Sequence, residues 1–211
     1  MNIIFDFDGT LADMKSLIME VGNEIAVRRG WAPVDEATYQ ELSRGSIREG
    51  IKRLGIPLRE IPFGLMEGKR KLSRRAHEIE LFPGIHELVD SLVAAGHELF
   101  VLSTNSRKLI RTVLERHGLL DKMTVLPSSG LFGKASALRR FIRSRRAARE
   151  TVWLIGDELR DIEAAKRARI QCVAVTWGLQ HPDTLRAAKP SFVVDTPQQI
   201  LQIIGADKQN A

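Results

Sequence analysis

Asn2-Ile3-Ile4-Phe5-Asp6-Phe7-Asp8-Gly9-Thr10 begins as an uninterrupted apolar run and ends in two acids and a glycine. A run without polar alternation reads as a strand buried on both faces of a parallel sheet, emptying into a loop. Outward from it, the texture after Pro83-Gly84 alternates. Helices at 85–95, 107–117 and 159–168 interleave with strands at 98–102, 124–126, 151–155 and 171–176. A further helix starts after Gly133-Lys134, and a small strand–helix unit covers 192–204. Strands alternating with helices of about ten residues predict an α/β fold: a Rossmann-like parallel sheet with helices on both faces.

Between the first strand and this alternating region the character changes. Leu17, Ile18, Val21 and Ile25 recur at helical spacing, Ser46-Ile47-Arg48-Glu49 opens a second helix with its own cap, and Gly55-Ile56-Pro57 ends it. A basic helix follows over 63–77, and no strand is expected here. The segment 14–80 is therefore predicted to be an all-helical block inserted into a core made of 1–13 and 81–211.

Ligands of open parallel sheets bind beyond the carboxyl ends of the strands. Four such ends, or helix starts beside them, carry polar groups here: Asp6 and Asp8, Thr104 and Asn105, Lys134, and Asp157 with Asp161 four residues on. Any one Asp-x-Asp pair reads equally well as a loop start or helix cap. Clustered carboxylates, however, repel unless a cation sits among them. Asp6, Asp8 and Asp157 would offer the hard oxygen ligands that suit Mg2+. Lys134 and Thr104 would add donors for a phosphoryl group, whose transfer spreads negative charge over its oxygens.

Asp6-Phe7-Asp8-Gly9-Thr10-Leu11 resembles the first motif of the haloacid dehalogenase superfamily. Val101-Leu102-Ser103-Thr104-Asn105 is similar to its second, Gly133-Lys134 to its third, and Gly156-Asp157-Glu158-Leu159-Arg160-Asp161 to its fourth. The resemblance implies roles: Asp6 as nucleophile forming an aspartyl-phosphate, Asp8 as general acid then base, and Lys134 as a catalytic cation. Metal would be held by Asp6, the backbone carbonyl of Asp8, and Asp157, with Asp161 supporting it through water or by orienting Lys134. Thr104 and Asn105 would bind phosphate, with Ser103 in place of Thr104 if the motif is offset by one. The second acid, Asp8, favours phosphoryl transfer over dehalogenation. The helical insert looks like a small cap, and its Ser43-Arg44-Gly45-Ser46 loop resembles that of phosphoglycolate phosphatase-like members, which places Arg44 at the substrate. Met14 departs from the family's usual serine, and no proline follows Lys134. The expected activity is magnesium-dependent hydrolysis of a small-molecule phosphate ester. A phosphomutase or a non-hydrolytic binding protein on the same scaffold is the alternative.

Composition narrows the rest. No stretch reaches the roughly 18 apolar residues of a membrane helix, and the start runs straight into a strand, leaving no room for a secretory signal. A single cysteine, Cys172, sits in an apolar run with no nearby histidine and reads as a buried thiol. These features predict a cytoplasmic protein. The formal net charge is +6, partly from Arg139, Arg140, Arg143, Arg145, Arg146 and Arg149. This cluster reads either as a solvated helix face or as a general pull on anions; without interleaved aromatics, no nucleic acid is expected as partner. His77, His86, His97, His117 and His181 lack metal-ligand spacing and read as surface or capping residues.

Overall fold

The computed structural model describes residues 1–127 and 133–207. Six parallel strands form one sheet: β1 (Asn2–Phe5), β4 (Glu98–Val101), β5 (Met123–Val125), β6 (Val152–Gly156), β7 (Gln171–Val175) and β8 (Phe192–Val194). Their order is β5-β4-β1-β6-β7-β8. The opening strand thus lies in the middle, with Phe5 level with Val101 on one side and Ile155 on the other.

Alternation of side chains along each strand divides the interior into two cores. Ile3, Phe5, Leu99, Val101, Trp153 and Ile155 face one layer. Helices α5 (Ile85–Ala94), α6 (Arg107–Arg116) and α10 (Pro197–Asp207) supply its other side. Ile4, Phe100, Leu102, Leu154 and Cys172 face the second, against α7 (Lys134–Arg145), α8 (Leu159–Ala168) and α9 (Pro182–Ala187). Both faces of the sheet are covered, which is why its strands carry apolar residues without alternation. Cys172 is buried, as its apolar context predicts.

The insert holds α1 (Lys15–Arg29), α2 (Glu36–Leu42), α3 (Ile47–Arg53) and α4 (Ile61–Arg74). Leu17, Val21 and Ile25 of α1 join Leu72 of α4 in the first core layer. Ser46 caps α3 through a reciprocal bond with Glu49, as its sequence predicts. By contrast, neither α2 nor α3 contains a buried residue. Two short strands join the insert to the core: β2 (Ala12–Asp13) pairs antiparallel with β3 (Glu80–Leu81). The sequence reading expected no strand here, and two residues are too few to display a period. Helix α9, too, falls in a stretch read as loop.

Met14, where the family commonly has serine, is fully buried and packs into the first layer. His97 corrects the reading of the histidines. It is buried, with Nδ1 3.4 Å from the amino group of Met1. His181 caps α9 as expected. The arginines of the 139–149 cluster are all exposed; Arg145 lies over the rings of Phe100 and Phe141. Among the described residues, no helix is long and apolar enough to cross a membrane.

Candidate active site

Asp6 directly follows β1, and its amide donates to Ile155 O at 2.8 Å, so it stands level with the last turn of β6. Asp157 follows that strand, and Asp161 lies in the first turn of α8. All three are fully buried, and one carboxylate oxygen from each falls within 4.8 Å of the others. The sheet register brings Asp6 and Asp157 together, because neighbouring parallel strands end level, and the first turn of α8 adds Asp161.

Asp157 is held on both oxygens. Thr10 Oγ1 donates to Oδ1 at 2.7 Å and Leu179 N to Oδ2 at 2.8 Å. Gly9 is what lets the first loop come so close. It adopts φ +76°, and a Cβ there would overlap the Asp157 carboxylate. Asp161 pairs with Lys134 and accepts from Glu158 N at 3.2 Å. Lys134 Nζ is also 2.7 Å from Asp6 Oδ2. Burial alone would lower the lysine's pKa, yet Asp161 and Asp6 hold it above the usual value. It is a fixed cation between two acids.

Asp8 is turned the other way. Asn105 Nδ2 donates to its Oδ1 at 2.5 Å and Ser103 Oγ to its Oδ2 at 3.1 Å. Burial, then the neighbouring Asp6 charge, pushes its carboxyl up to about 6. The hydroxyl at this strand end is therefore Ser103, buried and bonded to Asp8, while Thr104 is only half-buried. Ser103 rather than Thr104 is thus the hydroxyl bonded to Asp8.

A cavity of about 370 Å³ opens onto Lys134 and is walled by Arg48, Ile47, Glu158, Arg160 and Gln180. A larger groove of about 710 Å³ between α1 and α4 contains none of the strand-end residues, so the chemistry points to the smaller one. Arg44 does not line that cavity. Its Nη1 lies 3.8 Å from Asp183 Oδ2 on an exposed face, and Arg48, one helical turn on, takes the wall position. Arg160 was not foreseen. It is paired with Glu158, and its Nη2 lies 3.9 Å from Asp6 Oδ2.

The donor set fits a divalent cation. Asp6, Asp8, Asp157, Glu158 and Asp161 gather here, with Lys134 and Arg160 as the cations paired with Asp6, Glu158 and Asp161. Asp6 Oδ2 is buried with no hydrogen-bond donor aligned on it; Lys134 reaches it only as an ion-pair partner. Burial, then Glu158, Asp6 and Asp161, raises the Asp157 carboxyl well above the usual range, and burial likewise raises Glu158. Burial brings Asp161 to about 6 despite Lys134.

Carboxyls raised on folding contribute stability that is complete below the unfolded value and lost as pH climbs through the folded one. Metal-free protein should therefore weaken between pH 5 and pH 7.5, by about 1.4 kcal/mol for one group titrating near 6. Exposed acids with lowered values, such as Glu49 and Asp35, are ionised throughout that window and add little slope. Urea midpoints in EDTA at the two pH values test this, and added Mg2+ should restore stability at pH 7.5 more than at pH 5. A midpoint that rises with pH in EDTA would contradict the electrostatic picture.

Residues 3–175 match the family described as haloacid dehalogenase-like hydrolase. The chain is 34% identical to a phosphoglycolate phosphatase from Synechococcus elongatus, over 96% of each. It is 28% identical to a 5'-nucleotidase from Pseudomonas aeruginosa, over 90% of this chain and 89% of that one. A haloacid dehalogenase-like family hydrolase from Streptococcus pneumoniae superimposes with TM-score 0.81 at 20% identity, over 96% of this chain and 97% of the other.

Proposed function

Given that the chain belongs to the haloacid dehalogenase-like hydrolase family and is one of its phosphatases, we propose that it hydrolyses small anionic phosphate monoesters, phosphoglycolate-like ones first, through an aspartyl-phosphate on Asp6. One observation carries the reading: buried Asp6, Asp157 and Asp161 meet at one point, with Asp8 and Lys134 beside them.

Asp6 and Asp157, with the backbone of Asp8, would hold Mg2+, which when bound neutralises acid charge and lets an anionic ester approach. The Asp6 carboxylate forms a bond to phosphorus while the ester oxygen departs with its electron pair and takes a proton from Asp8. Lys134 and Asn105, whose Nδ2 keeps a second proton beside the one given to Asp8, stabilise the charge that spreads over the phosphoryl oxygens. Asp8, now ionised, accepts a proton from the water that attacks the aspartyl-phosphate, and inorganic phosphate leaves. Its raised carboxyl suits both steps, because about a tenth stays protonated at pH 7 for a group titrating near 6. Asp161 keeps Lys134 aimed at Asp6.

Selection of the leaving group falls to the cavity wall. Arg48 from the insert and Arg160 from the core present positive charge there, which suits a short tail bearing a carboxylate. The phosphoglycolate phosphatase relative agrees with that choice, while the 5'-nucleotidase relative marks nucleotides as the competing class. Phosphate release from a panel of monoesters, with Mg2+ and with EDTA, tests the proposal. Release should require the metal and be fastest for short carboxylated esters, and Arg48→Ala should slow those by about tenfold or more while sparing neutral esters. Nucleotides outrunning them would overturn the substrate assignment; no release from any ester would overturn the activity.

A further inference from the structure

Helices α2 and α3 bury nothing of their own, so something polar must seat the tip of the insert over the site. We propose that Gln180 is a positioning residue that couples this seating to the geometry of the metal ligand Asp157. The inference rests on the metal reading of Asp157 given above.

The turn between α2 and α3 presents three backbone carbonyls to the core loop that follows β7. Gln180 Nε2 donates to Ser43 O and, at 2.8 Å, to Gly45 O. His181 N donates to Ser43 O at 3.0 Å, and Thr184 Oγ1 to Arg44 O at 3.1 Å. In the reverse direction, Tyr39 Oη donates to Leu179 O at 2.7 Å. Each such bond is worth only about 0.5–1.5 kcal/mol net, but on the core side they are concentrated within residues 177–184.

That same stretch touches the acids. Leu179, whose carbonyl receives Tyr39, donates its amide to Asp157 Oδ2. Gly178 lies so close to Asp157 that a Cβ there would overlap the Asp157 side chain. Trp177 Nε1 donates to Thr10 O at 3.1 Å, and Thr10 is the other donor to Asp157. Gln180 Oε1 faces Leu159 N, at the start of the helix that carries Asp161, at 3.4 Å. Lifting the tip releases the Leu179 carbonyl from Tyr39, and a shift of Leu179 as a whole then carries its amide, on the preceding peptide, away from Asp157. An arrangement of Asp157 fixed by a cation favours the seated tip by the same amount that the seated tip favours the cation, because linkage is reciprocal.

The test measures Mn2+ binding by electron paramagnetic resonance and tryptic cleavage at the arginines of the tip, in the full chain. Wild type, Gln180→Ala and Tyr39→Phe are compared; the last leaves the core loop's side chains intact and guards against a folding defect in the first. Mn2+ should slow cleavage of wild type severalfold. Gln180→Ala should be cut faster without metal, gain little protection from it, and bind Mn2+ about fivefold or more weaker, the lower end of ordinary coupling. Tyr39→Phe should move the same way by less. Equal Mn2+ affinity in wild type and both variants, or equal protection, overturns the coupling alone. Absence of Mn2+ binding by wild type overturns the metal site, and the coupling with it.

Discussion

Asp6→Asn should lower phosphate release by about four orders of magnitude or more, the scale on which removal of a covalent nucleophile acts. The substitution keeps the shape of the side chain and the acceptor for Phe7 N, which now donates to Asp6 Oδ1 at 2.7 Å. It also removes one negative charge from a buried group of acids that already raise one another. The metal-free variant should therefore melt no lower than wild type, which separates lost chemistry from lost structure. Its stabilisation by Mg2+ should shrink, since Asp6 supplies one of the oxygens. Steady-state phosphate release and thermal melts with and without Mg2+ check both halves. A variant that kept more than about one part in a hundred of the rate would leave the nucleophile elsewhere.

Asp8→Asn should discriminate between leaving groups. An alkoxide departs poorly without a proton, so kcat/KM for an alkyl phosphate should fall by about 10²- to 10⁴-fold, the usual contribution of a placed general acid. A nitrophenolate needs no proton, and kcat/KM for p-nitrophenyl phosphate should fall far less. Because the same carboxylate serves the water in the second step, the phosphorylated enzyme should accumulate and appear as a burst of alcohol ahead of phosphate. Equal losses for both esters would remove Asp8 from the first step. The Ser103 and Asn105 bonds that aim Asp8 are retained by an asparagine in one of its two flips, so a gross displacement is not expected.

The centre of this molecule was legible because strands buried on both faces announce themselves as apolar runs, and because acids at their ends stand out. Asp6 and Asp157 could be placed from that pattern alone, the register doing the rest. Finer placement turns on one residue or one helical turn, which the pattern does not resolve. Ser103 and Thr104 are adjacent hydroxyls, and only the point where β4 stops directs the first of them at Asp8. Arg44 and Arg48 sit four apart, and the cap at Ser46 sets which one faces the cavity. Gln180 left no trace in the sequence, because its partners are backbone groups of distant residues and any side chain can supply those. Arg160 was printed inside a recognised motif, but at a position read only as spacing.

The central place of β1 also governs how the protein reaches its native state. Its two neighbours are β4, roughly a hundred residues along, and β6, some fifty further on. Contacts so distant in sequence make for slow assembly, whereas units such as β6-α8-β7 close over short loops and can form early. During ribosomal synthesis the strand leading to Asp6 must wait with both edges bare until β4 has emerged, and with one edge bare until Ile155 follows to receive the Asp6 amide. Half-made chains consequently cannot hydrolyse anything, and the exposed Ile-Ile-Phe edge is where a holdase chaperone would find its grip.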